Sequence, residues 1–405
     1  MLIDAWRMLR DYFYDRKMHG ADWRGVLEKY LPLVERVRSR DELNDVLAQM
    51  TGELSALHHF VVGGDMRRGE DRVSIATLGA DLSPVEGGWR VDRVIAGDVD
   101  EPQTRSPLSA PGVDVVAGDV IEQINGRSTV GVNPHRLLRQ QAGRQVLLTV
   151  RPGADGAGGA AEAGGASRRV IVEPLTAPAD DELRYRSWEV SRRELVDKLG
   201  EKKIGYVHLR AMGREDFAAW ARDYYPVFNR AGLVIDVRDN NGGNIDSWIL
   251  SRLMRKAWMF WNQPVGRSDG MWNMQYAFRG HMVVLCNEST ASDGEAFTEG
   301  FRRLGLGKSI GTRTWGGGIW LSFSNELSDK GIASAGEYGS FGLDGLWLVE
   351  GEGVTPDVVL DNLPHESAHG RDAQIEAAVE HLKKLIAEKP VELPGVPAAP
   401  VKAVK

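Results

Sequence analysis

The segment HMVVLCNESTASDGEAF, residues 281–297, decides the fold class of this chain of 405 residues. It opens with an apolar run, residues 281–286, passes through a short polar turn and continues into a stretch of helical character. Two further apolar runs, residues 204–209 and 232–237, also lead into helical stretches. Apolar strands without polar alternation that alternate with helices are typical of a largely parallel sheet buried on both faces. We therefore predict an α/β domain over residues 178–369.

The preceding region, residues 61–177, has the pattern of a mostly β module. Short apolar strands are separated by turn residues, and Asn125-Gly126 is a hairpin signal. Residues 153–165 are rich in glycine and alanine, a composition that fits either a linker or an enlarged hairpin tip. We prefer the tip, because the strand-like run that starts at Arg169 can pair back onto residues 146–150.

Both ends of the chain have helical patterns. Apolar residues recur at helical spacing in three stretches of residues 1–60, and Ser39 with Glu42 predicts a capping box. A last helix is predicted over residues 371–388, followed by a disordered tail, so that residues 370–405 form a C-terminal segment. The predicted fold is multidomain, with an N-terminal helical segment, a β module and an α/β domain.

Composition and charge exclude several classes of function. Fifty Lys and Arg residues stand against 57 Asp and Glu residues, a net charge of −7, which is unfavourable for nucleic acid or an anionic membrane surface. The single cysteine, Cys286, excludes an internal disulfide and a thiolate metal cluster. No run approaches the roughly 18 apolar residues of a membrane helix. We predict no nucleic-acid or membrane partner, no metal and no cofactor.

The first ten residues bear on the location of the protein. They contain an acid and two arginines, where a secretory signal has an uninterrupted apolar core. We therefore predict a cytoplasmic protein, with the reservation that a chain cut from a longer precursor would look the same.

Two loops carry candidate catalytic groups. Ser292 falls where a helix begins after a buried strand, so its hydroxyl would lie near unpaired backbone N–H groups that can stabilise an oxyanion. The alternative is that Ser292 only caps the helix. The paired glycines Gly242 and Gly243 follow a second buried strand and permit close approach of backbone amides to a substrate. The loop lacks the pattern of a phosphate-binding loop.

A serine nucleophile needs a base, which spacing alone does not identify. The pair His58-His59 follows the third helical stretch, at a junction that could face a cleft, and Glu350 and Glu352 flank a glycine-rich turn. A buried packing histidine and solvated glutamates are the competing interpretations.

Taken together, these motifs resemble the C-terminal half of the tricorn protease family, which is related to the tail-specific peptidases. The resemblance rests on AWRMLRDYFYD at residues 5–15, ELNDVL at 42–47, DVRDNNGG at 236–243, the Ser292-Asp-Gly turn and GVTPD at 353–357. It covers nearly the whole chain and does not include the N-terminal β-propellers of the family. It implies that residues 61–177 are a PDZ-like domain and that residues 178–369 are a serine peptidase domain.

The resemblance also implies roles for single residues. Ser292 matches the nucleophile and His58 the general base, while Glu350 matches the carboxylate of the charge relay and Glu352 is the weaker match. The backbone N–H groups of Asp293 and Gly243 match the oxyanion hole, with Gly242 next best to Gly243.

Two comparisons with the family bear on activity. The family has a serine directly before the base, and here that position is Leu57, while Ser55 lies two residues earlier. The Gly-Lys-Gly stretch that supplies a lysine base in tail-specific peptidases corresponds to Thr314-Trp-Gly-Gly-Gly318, which has no lysine, and this favours His58.

The resemblance implies a serine endopeptidase that acts on peptides or unfolded chains through an acyl-enzyme. The alternative is a catalytically silent scaffold that binds peptides through the PDZ-like module. A non-peptidase hydrolase is a third interpretation, because fold alone does not fix the reaction. Assembly into a homo-oligomer stays open.

Overall fold

The computed structural model describes residues 1–67, 69, 71–101, 103–153, 165–263, 272–321 and 325–402. The chain divides into two compact units. One consists of residues 1–68 together with 195–405, and the other of residues 69–194.

The α-helices, in chain order, are α1 (Leu2–Tyr12), α2 (Trp23–Tyr30), α3 (Arg40–Gly52), α4 (Pro134–Leu137), α5 (Ala177–Leu199), α6 (Arg214–Tyr224), α7 (Asp246–Leu253), α8 (Asp293–Arg303), α9 (Pro364–Ala368) and α10 (Ala373–Glu388). Short 3₁₀ helices occur at Met18–Gly20, Leu31–Arg36 and Pro107–Ser109. None of these described helices is long and apolar enough to cross a membrane.

The strands, in chain order, are β1 (Val61–Val62), β2 (Ala80–Val85), β3 (Gly88–Val94), β4 (Val120–Ile124), β5 (Arg127–Ser128), β6 (Val146–Arg151), β7 (Arg168–Val172), β8 (Ile204–His208), β9 (Gly232–Asp236), β10 (His281–Cys286), β11 (Gly307–Gly311), β12 (Ile319–Trp320), β13 (Ile332–Ala333), β14 (Tyr338–Gly339) and β15 (Val358–Val359).

The larger unit is built on a five-stranded sheet in the order β15-β11-β10-β9-β8. Every neighbouring pair in it is parallel, which confirms the predicted α/β architecture. Helices α6, α7 and α8 contribute apolar side chains to the core on one face, and α10 covers the other. Burial on both faces explains why β8, β9 and β10 read as continuous apolar runs.

Helices α1 to α3 belong to this same unit. Their apolar faces form a core with Ile319, Leu327, Ala333 and Ala335 from the far end of the chain. Strand β1 pairs antiparallel with β13, with Val61 opposite Ala333. These contacts position the segment between α3 and β1, which contains His58.

The capping box predicted at the start of α3 is only half formed. The Ser39 side chain accepts a hydrogen bond from the Glu42 amide, at 3.2 Å. The Glu42 carboxylate accepts from the Arg38 amide, at 2.6 Å, rather than from Ser39. The predicted bond from the Ser39 amide to Glu42 is therefore wrong by one residue, because the Glu42 carboxylate extends beyond Ser39 to the amide of Arg38.

The unit of residues 69–194 contains an antiparallel sheet in the order β2-β3-β4-β6-β7, with β5 paired to β4. Asn125 and Gly126 both have positive φ, 48° and 75°, as a tight hairpin turn between β4 and β5 requires. Strand β6 pairs with β7, which confirms the predicted pairing. Most of the glycine-rich stretch that we interpreted as a hairpin tip, residues 154–164, lies outside the described residues.

The C-terminal helix predicted over residues 371–388 is α10, and the apolar side chains Ile375, Val379 and Leu382 bury it against the parallel sheet. Residues 390–402 form no helix or strand. The predicted domain boundaries at residues 60, 177 and 369 stay predictions.

Candidate active site

Ser292 lies at the junction between β10 and α8. The turn before it is held by Thr290, whose hydroxyl donates to the Val237 carbonyl at 2.7 Å. Ser292 itself has φ +55°, in the left-handed region that residues with a side chain rarely adopt. Its hydroxyl makes no capping hydrogen bond within the described part of the chain. The serine therefore occupies the cap position without using its side chain as a cap, which leaves the hydroxyl available for chemistry.

The glycine loop after β9 lies directly against this serine. Gly242 has φ +88°, and a Cβ placed on it would lie 2.9 Å from the Ser292 Oγ and 2.5 Å from the Ser292 Cβ. Any larger residue at position 242 would therefore collide with the candidate nucleophile. The side chain of Asn240 fixes the loop, because its Oδ1 accepts from the Gly242 amide at 2.9 Å and its Nδ2 donates to the Leu209 carbonyl.

The backbone amides beside Ser292 differ in their availability. The Gly242 N–H already donates to Asn240. Among the described residues, the N–H groups of Gly243 and Asp293 donate no hydrogen bond to the protein. These two are the donors that the family resemblance implied, and the geometry favours Gly243 over Gly242.

The side chain of Asp293 has a separate, structural role. Its Oδ2 accepts hydrogen bonds from the amides of Ile245 and Asp246, at 2.7 and 3.0 Å, at the start of α7. Burial raises the pKa of Asp293 above its ordinary value. The carboxylate thereby fixes the start of α7, and with it the loop that ends in Gly243, relative to α8.

His58 is buried and held in one orientation. Its Nδ1 lies 2.6 Å from the Ile319 carbonyl oxygen, and because a carbonyl only accepts, we assign the proton to Nδ1. The Nε2 atom then carries the lone pair that a general base needs. The rings of Phe60, Trp315 and Trp320 contact the imidazole edge-on. Burial among them lowers the pKa of His58, so the ring is neutral at neutral pH.

His59, the other member of the pair, points elsewhere. Its ring packs edge-on against Phe13 in the helical core. Burial lowers the pKa of His59 to about 4. This residue fits the packing interpretation that the sequence left open.

Glu350 acts on the base side through the backbone. Its Oε1 accepts from the Leu57 amide and its Oε2 from the Gly318 amide, both at 2.9 Å. Leu57 precedes His58, and Gly318 precedes the residue whose carbonyl holds the imidazole, so one carboxylate ties the two segments that orient the base. Glu350 makes no hydrogen bond to His58, although its charge opposes the fall in the pKa of that histidine. Glu352 is exposed, and its carboxylate has no partner among the described residues.

Glu295 belongs to the site but was not predicted from the sequence. This carboxylate is fully buried and accepts four hydrogen bonds, from the amides of Ser292 (3.0 Å), Gly316 (2.7 Å) and Gly317 (2.8 Å) and from the Thr314 hydroxyl (2.6 Å). Burial raises the pKa of Glu295, while its hydrogen bonds oppose that rise. The available signal was a serine followed three residues later by a glutamate at a helix start.

Ser292 and His58 line the same cavity, which has a volume of about 920 Å³. Gly242 and Gly243 border it as well. The cavity thus brings a hydroxyl, an imidazole with a free lone pair and the free amide of Gly243 to one space. The free amide of Asp293 is next to Ser292 in the chain, and Glu350 holds the backbone of Leu57 beside His58. Such a set can carry out acyl transfer.

The described residues include neither a cluster of metal ligands nor a reactive thiol. No three His, Cys, Asp or Glu side chains there are placed to hold a metal ion. Cys286 is buried, which raises the pKa of its thiol to about 12 and leaves it unreactive at neutral pH.

Three parts of the chain match models of known protein families. Residues 1–52 match the model of the Tricorn protease C1 domain, residues 76–177 that of the Tricorn protease PDZ domain, and residues 203–360 that of Peptidase family S41.

Relatives match over almost the whole chain. Tricorn protease homolog 1 of Streptomyces coelicolor is 37% identical over 403 residues, which cover 97% of this chain and 36% of the relative. Tricorn protease of Thermoplasma acidophilum is 30% identical over 98% of this chain and 36% of its own length. A crystal structure of the tricorn protease superposes with a TM-score of 0.86 and 29% identity, covering 96% of this chain and 36% of that one. This chain spans about a third of the length of these relatives, and over that span it resembles the tricorn protease family.

Proposed function

We propose that this chain is a serine-type peptidase that hydrolyses peptide bonds in oligopeptides or unfolded chains. The observation that carries the proposal is that Ser292 and His58, which lie in distant parts of the sequence, line one cavity together with Gly243, whose amide is free. The free amide of Asp293 follows Ser292 directly in the chain. The match of residues 203–360 to Peptidase family S41 supports it. The silent scaffold is not favoured, because a protein that only binds peptides does not need this arrangement.

The proposed reaction proceeds through an acyl-enzyme. The Ser292 Oγ bonds to the peptide carbonyl carbon as its proton passes to His58 Nε2, and the amides of Asp293 and Gly243 hold the resulting oxyanion. The carbon–nitrogen bond then breaks as His58 returns the proton to the leaving amine. Water then bonds to the acyl carbon as its proton passes to His58, and the carbon–Oγ bond breaks as His58 returns that proton to Ser292, which releases the carboxylic acid.

Glu350 and Glu295 are positioning residues in this proposal. Neither touches the reacting atoms, and each acts by holding backbone amides. Cleavage within chains rather than at their ends, homo-oligomer formation and a cytoplasmic location also belong to the proposal.

A fluorophosphonate probe tests the nucleophile directly. We expect one labelled residue, Ser292, in the folded protein, together with hydrolysis of fluorogenic peptides, and we expect Ser292→Ala to abolish both. The matched control is Ser289→Ala, which makes the same change at an exposed serine of the same turn. A protein that is folded but neither labels nor cleaves would be the silent scaffold instead.

A further inference from the structure

The cavity that holds the candidate nucleophile has apolar and aromatic walls. They are formed by Phe60, Ile245, Trp248, Trp320, Leu321 and Tyr338. Trp248 and Tyr338 are each 60% exposed and Phe60 is 43% exposed. These large apolar side chains are in contact with water. An apolar ligand that enters the cavity removes apolar surface from water, and this favours binding of the ligand.

The permanent charge on the described lining is of one sign only. No carboxylate lines the cavity among the described residues, so nothing there pairs with a lysine or arginine of a substrate. The one permanently charged side chain in the described lining is Arg214, which is exposed. Arg214 makes no ion pair or hydrogen bond within the described part of the chain.

Arg214 also lies where a positive charge is unfavourable. It is the first residue of α6, where the positive end of the helix dipole disfavours a cation. The guanidinium is therefore neither neutralised by a partner nor favoured by its helix. A basic substrate group in the cavity would meet it without compensation, while an acidic group would be attracted.

From these contacts we infer that the cavity selects peptides with a large apolar or aromatic side chain next to the bond to be cleaved, and that Arg214 discriminates against basic ones. This inference rests on the proposed function and adds to it the class of substrate. Apolar walls supply the binding free energy, and the charge on Arg214 supplies the exclusion.

The test uses peptidyl diphenyl phosphonates that differ only in the residue attached to phosphorus, with side chains of Phe, Leu, Lys or Glu. Each reports the rate of Ser292 modification without requiring turnover. A small fluorophosphonate without a peptide serves as the reference for the nucleophile. We expect the Phe and Leu probes to react about 10- to 100-fold faster than the Lys probe, the range that apolar pockets achieve.

Two variants separate the contributions of the walls and of the charge. Trp248→Ala should slow the Phe probe about tenfold, because it removes an apolar surface that the probe would bury. Arg214→Glu should speed the Lys probe about three- to tenfold, as expected for an exposed charge pair. The controls are Trp258→Ala, at an exposed tryptophan outside the cavity lining, and Lys256→Glu, which changes the net charge by the same amount at an exposed site outside it.

The outcomes distinguish the two proposals. If the fluorophosphonate labels Ser292 but the Lys probe reacts as fast as the Phe probe, the selectivity is wrong while the nucleophile stands. Equal responses of the Trp248 and Trp258 variants, or of the Arg214 and Lys256 variants, would likewise contradict the assigned roles. If no probe labels Ser292, the proposed function fails, and the substrate class fails with it.

Discussion

Two glutamates hold the backbone near the cavity, one at Ser292 and one next to His58, and they do so differently. Glu295, on the nucleophile side, is fully buried and accepts four hydrogen bonds. Glu350, on the base side, is half-buried and accepts two. Both bind backbone amides rather than the side chains that we propose to react, so in the proposed reaction each acts by fixing where a segment of chain lies.

The difference shows how the two sides are built. The nucleophile side is mostly local, because β10, its turn and the start of α8 already present Ser292. The base side is assembled from three distant segments that contain Leu57, Gly318 and Glu350. Glu295 also reaches Gly316 and Gly317, in the loop that leads to the Ile319 carbonyl. Glu295 therefore supports both sides, whereas Glu350 supports only one.

The largest effect is expected for Glu295→Ala. It leaves three amides and a buried hydroxyl without their acceptor, and unpaired buried donors cost about 1–3 kcal/mol each. Because the surrounding loop can relax, we expect the free energy of unfolding to fall by about 3 kcal/mol, measured by urea denaturation. The rate of Ser292 labelling should fall as well, since the serine and the loop that orients His58 lose a common anchor.

The matched control for this prediction is Glu299→Ala, one turn further along α8. Glu299 forms ion pairs with Arg302 and Arg303 at 2.7 and 2.6 Å, and such pairs contribute about 1 kcal/mol or less. An equal loss of unfolding free energy in the two variants would show that the buried hydrogen bonds of Glu295 stabilise the fold no more than the ion pairs of Glu299 do.

A smaller effect is expected for Glu350→Gln. The Gln side-chain amide has only one acceptor oxygen, so its NH₂ group faces one of the two backbone N–H donors and that hydrogen bond is lost. The segment before His58 is then held less firmly, and we expect peptide hydrolysis to slow about tenfold. The loss of the negative charge should also lower the pKa of His58 further, because Glu350 opposes its fall.

The pH profile of peptide hydrolysis checks this second effect. Hydrolysis requires neutral His58, so its acid limb should move to lower pH in Glu350→Gln. Glu352→Gln, at an exposed carboxylate without a partner in the described residues, is the control and should leave rate and profile unchanged. An unchanged acid limb in Glu350→Gln would mean that this carboxylate does not act electrostatically on the base.

The smallest effect is expected for Leu57→Ser, which introduces the residue that the family has before its base. The Ile319 carbonyl already accepts from His58 Nδ1, and Glu350 holds residue 57 through its amide. We therefore expect peptide hydrolysis to change by less than about threefold. A tenfold gain would show instead that the carbonyl is a poor substitute for a serine hydroxyl.

The same contrast explains what could be predicted from sequence. The parallel sheet and the position of Ser292 follow from local patterns, because apolar periodicity and helix starts are properties of neighbouring residues. The glycine loop followed from the same reasoning, since Gly242 and Gly243 lie in the loop that follows a buried strand.

The base side depends on contacts that spacing does not encode. The resemblance to the family proposed His58 and Glu350, but nothing local indicates that the Ile319 carbonyl orients the ring. Glu295 was overlooked because its Ser-x-x-Glu pattern is common at helix starts, and its buried partners Thr314, Gly316 and Gly317 are known only from the tertiary structure.

The proposed reaction depends on the activation of Ser292 by His58, which can be measured as the rate of Ser292 labelling by a fluorophosphonate as a function of pH. Between about pH 5 and pH 8 the wild-type rate should rise with an apparent pKa below 6.5, the ordinary value for histidine, because burial lowers the pKa of His58. His58→Ala should slow labelling at least about 100-fold and remove that titration. A His58→Ala variant with the rate and pH profile of the wild type would contradict the account.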